Sequence, residues 1–191
     1  MGIKDAEGCF NAYPHQLSGG MRQRVVIAMA VICKPKLLIA DEPTTSLDVI
    51  TQEQIFNLLL EVHKEYNTSI LFITHDLESI KRLCDRMLVM YYGKIIEFGT
   101  VYKIFSNPLH EYTKGLIASI PSADRKGRRL TCIDGKLPNL KDRKAGCPFA
   151  LRCKKAIDIC FKEDISTEMY ESNHGVSCHL VDVKGVKKYV I

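Results

Sequence analysis

Two short apolar runs, separated by an amphipathic segment, constrain this chain most. Leu37 to Ala40 (LLIA) ends in Asp41-Glu42-Pro43, and Ser69 to Thr74 (SILFIT) ends in His75-Asp76. Between them, Gln52 to Tyr66 sets Ile55, Leu58, Leu59 and Val62 at i, i+3, i+4 and i+7, the spacing of one buried helix face. Strand, helix and strand in that order predict parallel pairing in an α/β layer fold. The first strand should be buried, and each carries its acids or histidine at the carboxyl end, where such sheets gather ligand groups.

The rest of the chain fits that plan. Residues 19–33 (GGMRQRVVIAMAVIC) predict a buried helix with Ser18 as N-cap. Leu77 to Cys84 predicts a short helix, and 86–92 with 94–98 a hairpin around Gly93. Residues 100–118 predict two helical pieces broken at Asn107-Pro108. The longest apolar run, Val25 to Cys33, has nine residues, far short of a bilayer span. The first residues show neither the basic start nor the apolar stretch of a signal peptide, so secretion is not expected.

Composition changes near residue 120. Residues 121–191 carry 15 Lys and Arg against 9 Asp and Glu, whereas residues 1–120 carry 12 against 13. Five of the eight cysteines also lie beyond residue 120. The expected domains are therefore 1–120 and a basic, Cys-rich 121–191, joined by the polar linker SADRKGRR (122–129). Clustered cysteines without a secretory signal read as metal or cluster ligands more than as disulfides.

Four strings carry chemistry. In LSGGMRQR (17–24), a serine and two glycines at a helix start expose N–H groups to an anion, helped by the helix dipole; a capped helix with a tight glycine turn is the alternative. In LLIADEP (37–43), a strand-end carboxylate suits hydrated Mg²⁺ and its neighbour a water-activating base; two solvated acids are the alternative. TTSLD (44–48) follows at once. THD (74–76) ends the second strand, and its histidine can donate to a phosphate oxygen or serve the structure alone.

In this order, the strings closely resemble the ATP-binding subunits of ABC transporters over residues 1 to about 120. LSGGMRQR is similar to the family signature, LLIADEP to the Walker B strand, TTSLD to the D-loop and THD to the switch-histidine loop. The resemblance implies a P-loop NTPase-like layered fold, with ATP and Mg²⁺ as cofactors. It implies that Asp41 holds the Mg²⁺ water shell, Glu42 is the general base, His75 senses the γ-phosphate and Asp48 couples two sites. Ser18, Gly19, Gly20 and Gln23 of the signature would serve ATP bound on an opposite subunit.

The tail looks like the C-terminal extension of oligopeptide and dipeptide importer ATPases, with Pro108-Leu109-His110-Glu111-Tyr112-Thr113 and Leu116 leading into it. Cys147, Cys153, Cys160 and Cys178, spaced C-x5-C-x6-C-x17-C, suit a [4Fe–4S] cluster, which some family members are held to carry, or Zn²⁺; absence of any metal is the third reading. His174 and His179 could each replace a ligand but are expected to be structural or exposed, and Cys132 lies outside the spacing. A phosphate loop, GxxxxGK[ST], is missing from the 191 residues. The resemblance thus implies an N-terminally truncated ABC fold, with the phosphate loop upstream of Met1, little ATP binding, no turnover by the chain alone, and exposed strand edges and apolar helix faces. Implied partners are a second ATPase subunit, transmembrane permease subunits and a companion chain with the phosphate-loop half, at the cytoplasmic face of a membrane, with nickel an alternative cargo to peptides. The competing readings are an inert or regulatory remnant with a metal-binding tail, and a nucleic-acid-associated ABC ATPase. The scattered basic residues of the tail speak against nucleic acid.

Overall fold

The structure, a computed structural model, describes residues 1–3, 5–121, 133–135 and 145–181, which fall into two units, Met1–Asp76 and Leu77–Ile191. The proposed linker 122–129 and Cys132 lie outside the described residues.

In the first unit, α1 (Ala6–Asn11) and a 3₁₀ turn (Pro14–Gln16) precede α2 (Gly19–Val31), β1 (Leu37–Asp41), α3 (Val49–Tyr66) and β2 (Ser69–Ile73). β1 and β2 pair in parallel, from Leu37 opposite Ser69 to Asp41 opposite Ile73, as the strand–helix–strand order predicts. The periodic face of α3 is the buried one. Ile55, Leu58, Leu59 and Val62 pack with Ile27 and Val31 of α2 and Leu38 of β1. Each such aliphatic chain contributes about 2 kcal/mol on burial. Asn67 ends α3 in the left-handed conformation, the stop that asparagine tolerates.

Two expectations of burial do not hold. α2 is buried on one side only: Ile27 and Val31 face the core, while Val26, Met29 and Ile32 are exposed. The strands are not covered on both faces either. Leu38 and Ala40 point to the helices, while Leu37, Ile39, Leu71 and Ile73 lie exposed on the opposite face. The reason is the layering: among the described residues of this unit, helices cover one face of the two-stranded sheet. The expected exposure of apolar surface is therefore seen.

The second unit holds α4 (Leu77–Leu83), β3 (Arg86–Tyr91), β4 (Lys94–Thr100), α5 (Val101–Ser106), α6 (Glu111–Ala118), β5 (Glu168–Glu171) and β6 (His174–Val176). Tyr92 and Gly93, both at positive φ, close the β3–β4 hairpin, as a two-residue turn requires. The sheet order is β3-β4-β6-β5, all antiparallel. β6 runs along β4, with Glu97 opposite Val176 and Gly99 opposite His174. The Cys-rich segment is thus sewn onto the hairpin, and Phe149 joins Met87, Val89, Tyr91, Ile96, Val101 and Ile104 in one core. The composition change at 120/121 falls inside this unit. Among the described residues no helix is long and apolar enough to cross a membrane.

Candidate functional site

The carboxyl ends of β1 and β2 bring Glu42 and His75 together. The Glu42 N–H donates to Ile73 O at 2.9 Å, extending the parallel ladder by one residue. Glu42 then turns into the left-handed region, at φ 47°, and its side chain leaves the strand line. Its Oε1 lies 2.7 Å from His75 Nδ1, and its Oε2 accepts from Thr45 Oγ1 at 2.7 Å. The hydrogen bonds from His75 and Thr45 hold the Glu42 carboxyl below its usual range. The reciprocal bond to Glu42, aided by its charge and that of Asp76, raises the His75 imidazole. At neutral pH Glu42 is ionised and lies beside a histidine with increased proton affinity. Asp41, the last residue of β1, is exposed next to the pair.

The Thr44–Asp48 loop links this pair to the glycine segment. Asp48 N-caps α3: its Oδ1 accepts the Thr51 N–H at 2.9 Å and its Oδ2 accepts Thr51 Oγ1 at 2.8 Å. These bonds, the backbone one first, lower the Asp48 carboxyl. Ser18 caps α2 by accepting the Met21 N–H at 3.2 Å. A Cβ on Gly20 would meet Thr51 Cγ2 at 2.5 Å, and one on Gly19 would meet Leu47 Cδ2 at 3.2 Å. The glycines therefore have a packing role: they let the start of α2 approach the loop and α3. Gln23 lies partly buried on α2.

The four tail cysteines line one cavity, together with His110 and His179. Their thiols are free. Short turns bring them together: Cys147 N–H donates to Cys160 O at 2.8 Å, Ala150 N–H to Cys147 O, and Cys153 N–H to Ala150 O. Gly146, at φ 98°, permits the first contact, since a Cβ there would stand 2.4 Å from Cys160 O. Burial raises the Cys147 and Cys178 thiols, and the neighbouring cysteines add to it. Among the described residues no group of three or more His, Cys, Asp or Glu stands at the spacing that holds a metal ion.

Sequence reasoning missed a buried network beside this cavity. Glu97 of β4 is fully buried and accepts the N–H groups of Leu109 at 2.8 Å and His110 at 2.9 Å, and His174 Nε2 lies 2.8 Å away. Burial raises the Glu97 carboxyl, but the bonds from His174 and the backbone outweigh it, and the group stays below its usual range. Burial pushes the His110 imidazole down to about 4. His174 is structural, as expected, while His179 reaches Glu163 O at 3.1 Å and borders the cavity. The one signal for Glu97 was an acid inside the apolar strand Ile95-Ile96-Glu97-Phe98.

Residues 96–160 match the family model of the oligopeptide/dipeptide transporter C-terminal region, and residues 1–45 match that of the ABC transporter. The chain is 46% identical to the oligopeptide transport ATP-binding protein AppD of Bacillus subtilis over 188 residues, 98% of this chain and 57% of that protein. It is 48% identical to the dipeptide transport ATP-binding protein DppD of the same species over 182 residues, 95% of this chain and 54% of that protein. It is 52% identical to the oligopeptide transport ATP-binding protein OppD of Escherichia coli over 158 residues, 83% of this chain and 47% of that protein. The chain spans about half the length of the curated relatives it matches.

Proposed function

The chain belongs to the ATP-binding proteins of ABC transporters, in their oligopeptide/dipeptide branch, and from that premise we propose that it couples ATP hydrolysis to peptide import. One observation carries the reading: an ionised glutamate and a histidine meet at 2.7 Å in solvent, at the carboxyl ends of two parallel strands. Glu42 is the general base, orienting and deprotonating the attacking water through an oxygen that now faces His75. His75 donates to a phosphate oxygen once it leaves Glu42. The exposed Asp41 carboxylate, a hard oxygen donor, fits the water shell of Mg²⁺. When bound, Mg²⁺ neutralises charge on the phosphates. Ser18, Gly19, Gly20 and Gln23 offer the start of α2 to a nucleotide held by a second ATPase subunit, and Asp48 couples that face to Glu42 through the Thr44–Asp48 loop.

The phosphate loop must come from other residues, because the 191 residues hold no GxxxxGK[ST] string. The exposed Ile39, Leu71 and Ile73 face supports docking of a phosphate-loop half there. Transmembrane permease subunits are the further partners, with the chain peripheral to the cytoplasmic face of the membrane. Cys147, Cys153, Cys160 and Cys178 of the second unit would hold a [4Fe–4S] cluster, with Zn²⁺ the alternative. Four free thiols around a cavity, rather than around a point, suit the corners of a cluster.

The test is ATP turnover by this chain with a phosphate-loop half and the permease subunits. The chain alone should show none. The complete assembly should turn ATP over, and Glu42→Gln should lower the rate at least about 100-fold, the weight of a general base. Turnover indifferent to Glu42→Gln sinks the assignment, and a wild-type assembly without turnover leaves the remnant reading standing.

A further inference from the structure

His110 stands where the proposed function gives it no part. The residue is 2% exposed, and its two ring nitrogens face different partners. Nδ1 lies 3.1 Å from the Tyr112 amide nitrogen, capping α6. A backbone N–H only donates, so Nδ1 accepts. A neutral imidazole that accepts at Nδ1 carries its proton on Nε2. Nε2 lies 3.8 Å from Cys147 Sγ, on the wall of the cysteine cavity.

Both ends of this contact are held. Glu97 accepts the N–H groups of Leu109 and His110, which fixes the main chain that carries the ring. Phe149 packs against the imidazole at 5.8 Å between ring centroids. Cys147 is tied through its N–H to Cys160 O, and Gly146 keeps that approach open. A helix cap alone asks for a short acceptor such as Ser, Asp or Asn. It leaves the direction of Nε2 unexplained.

We propose that His110 is a positioning residue of the cysteine site, its Nε2–H donating to the Cys147 sulfur and so orienting that ligand and drawing off part of its charge. The inference rests on the reading that the four cysteines hold a metal cofactor. Outer-shell donors of this kind weigh about 10–100-fold in metal retention. A hydrogen bond to a ligand sulfur also sets a cluster's reduction potential. Withdrawing charge from the thiolate favours the reduced form, so removal of this donor lowers the potential.

Two variants separate the cap from the donor. His110→Asn keeps a short acceptor for the Tyr112 amide and loses the reach to Cys147. His110→Gln gives up the cap and places an amide N–H near the position of Nε2. The full chain is loaded without oxygen with ferrous iron and sulfide, and in parallel with zinc, and metal loss to a chelator is timed. His110→Asn should lose metal about 10-fold faster than wild type, and His110→Gln should largely restore retention. In the unloaded wild-type chain, ¹⁵N shifts should place the His110 proton on Nε2.

Equal metal loss from wild type and His110→Asn overturns the inference while leaving the cofactor standing. Fast loss from His110→Gln with normal retention by His110→Asn makes His110 a cap and nothing more. A proton on Nδ1 overturns the inference even if both variants fail to fold. If wild type takes up neither iron–sulfide nor zinc, the cofactor reading falls and the inference falls with it.

Discussion

Glu42 and His75 meet at 2.7 Å, and Glu97 and His174 at 2.8 Å, yet their surroundings are opposite. The first pair's side chains are 39% and 81% exposed, and the second pair's are both fully buried. In solvent, such a contact is screened and contributes little to stability. Either partner can therefore leave it for a ligand at little cost. In the core, the Glu97 carboxylate is fully engaged, accepting two backbone N–H groups and facing His174. Those donors lie on the segment before α6 and on β6, so one carboxylate fastens both to β4. The same two residue types make an open, solvent-screened pair in one unit and a lock in the other, and burial decides which.

The sharpest way to break this comparison is to neutralise each glutamate in turn. Glu97→Gln removes one charge of a buried pair and turns an amide N–H toward groups that donate. It should destabilise the second unit by about 3–5 kcal/mol, read as a lower urea midpoint. Glu42→Gln should leave the urea midpoint essentially unchanged. Equal losses would mean that exposure does not separate the pairs. Acid sharpens the contrast. The Glu97 carboxyl is held below its ordinary value of 4.5. As pH falls past that value the unfolded chain takes the proton first, so the contribution of Glu97 is intact above it and fades as pH drops through the lowered value. In Glu97→Gln that part of the acid sensitivity should vanish.

The first unit was more legible than the second, for physical reasons. A parallel strand–helix–strand unit is written in local pattern: the face of Ile55, Leu58, Leu59 and Val62 follows helical spacing, and the strand ends fall next to Asp41 and His75. The cap roles of Ser18 and Asp48 are also local, three residues from their donors. What local pattern does not carry is what covers a face. α2 reads as buried because it is apolar, but Val26, Met29 and Ile32 are bare. The Glu97–His174 contact joins residues 77 apart in sequence, and β6 is three residues long, too short for any period to announce it. The cysteine spacing was read as a ligand set; the structure gathers the four thiols around one cavity, without the spacing that holds a metal ion.

Asp48 tests whether an exposed carboxylate can also be structural. It is exposed, like His75, but both its oxygens are committed to Thr51. Asp48→Ala should lower the thermal midpoint through loss of the α3 cap, and Asp48→Asn should recover most of it. A stable Asp48→Ala would show that the cap contributes little.

The smallest effect expected is the most direct probe of the exposed pair. His75 should titrate above its ordinary value of 6.5, because the Glu42 carboxylate accepts its N–H and adds its charge, with Asp76 assisting. A raised histidine stabilises the fold below its unfolded pKa, and that contribution fades as pH rises through the folded value. Solvent screens the interaction here, so global unfolding should barely register it. The imidazole's own NMR titration reports it without that dilution. In Glu42→Gln the midpoint should fall back toward 6.5. Added salt should remove part of the shift in wild type, the part due to charge alone, and leave the hydrogen-bonded part. A midpoint that ignores both changes would mean that the pair does not persist in solution. Glu42 would then stand free at the end of β1, and His75 would have no partner to leave.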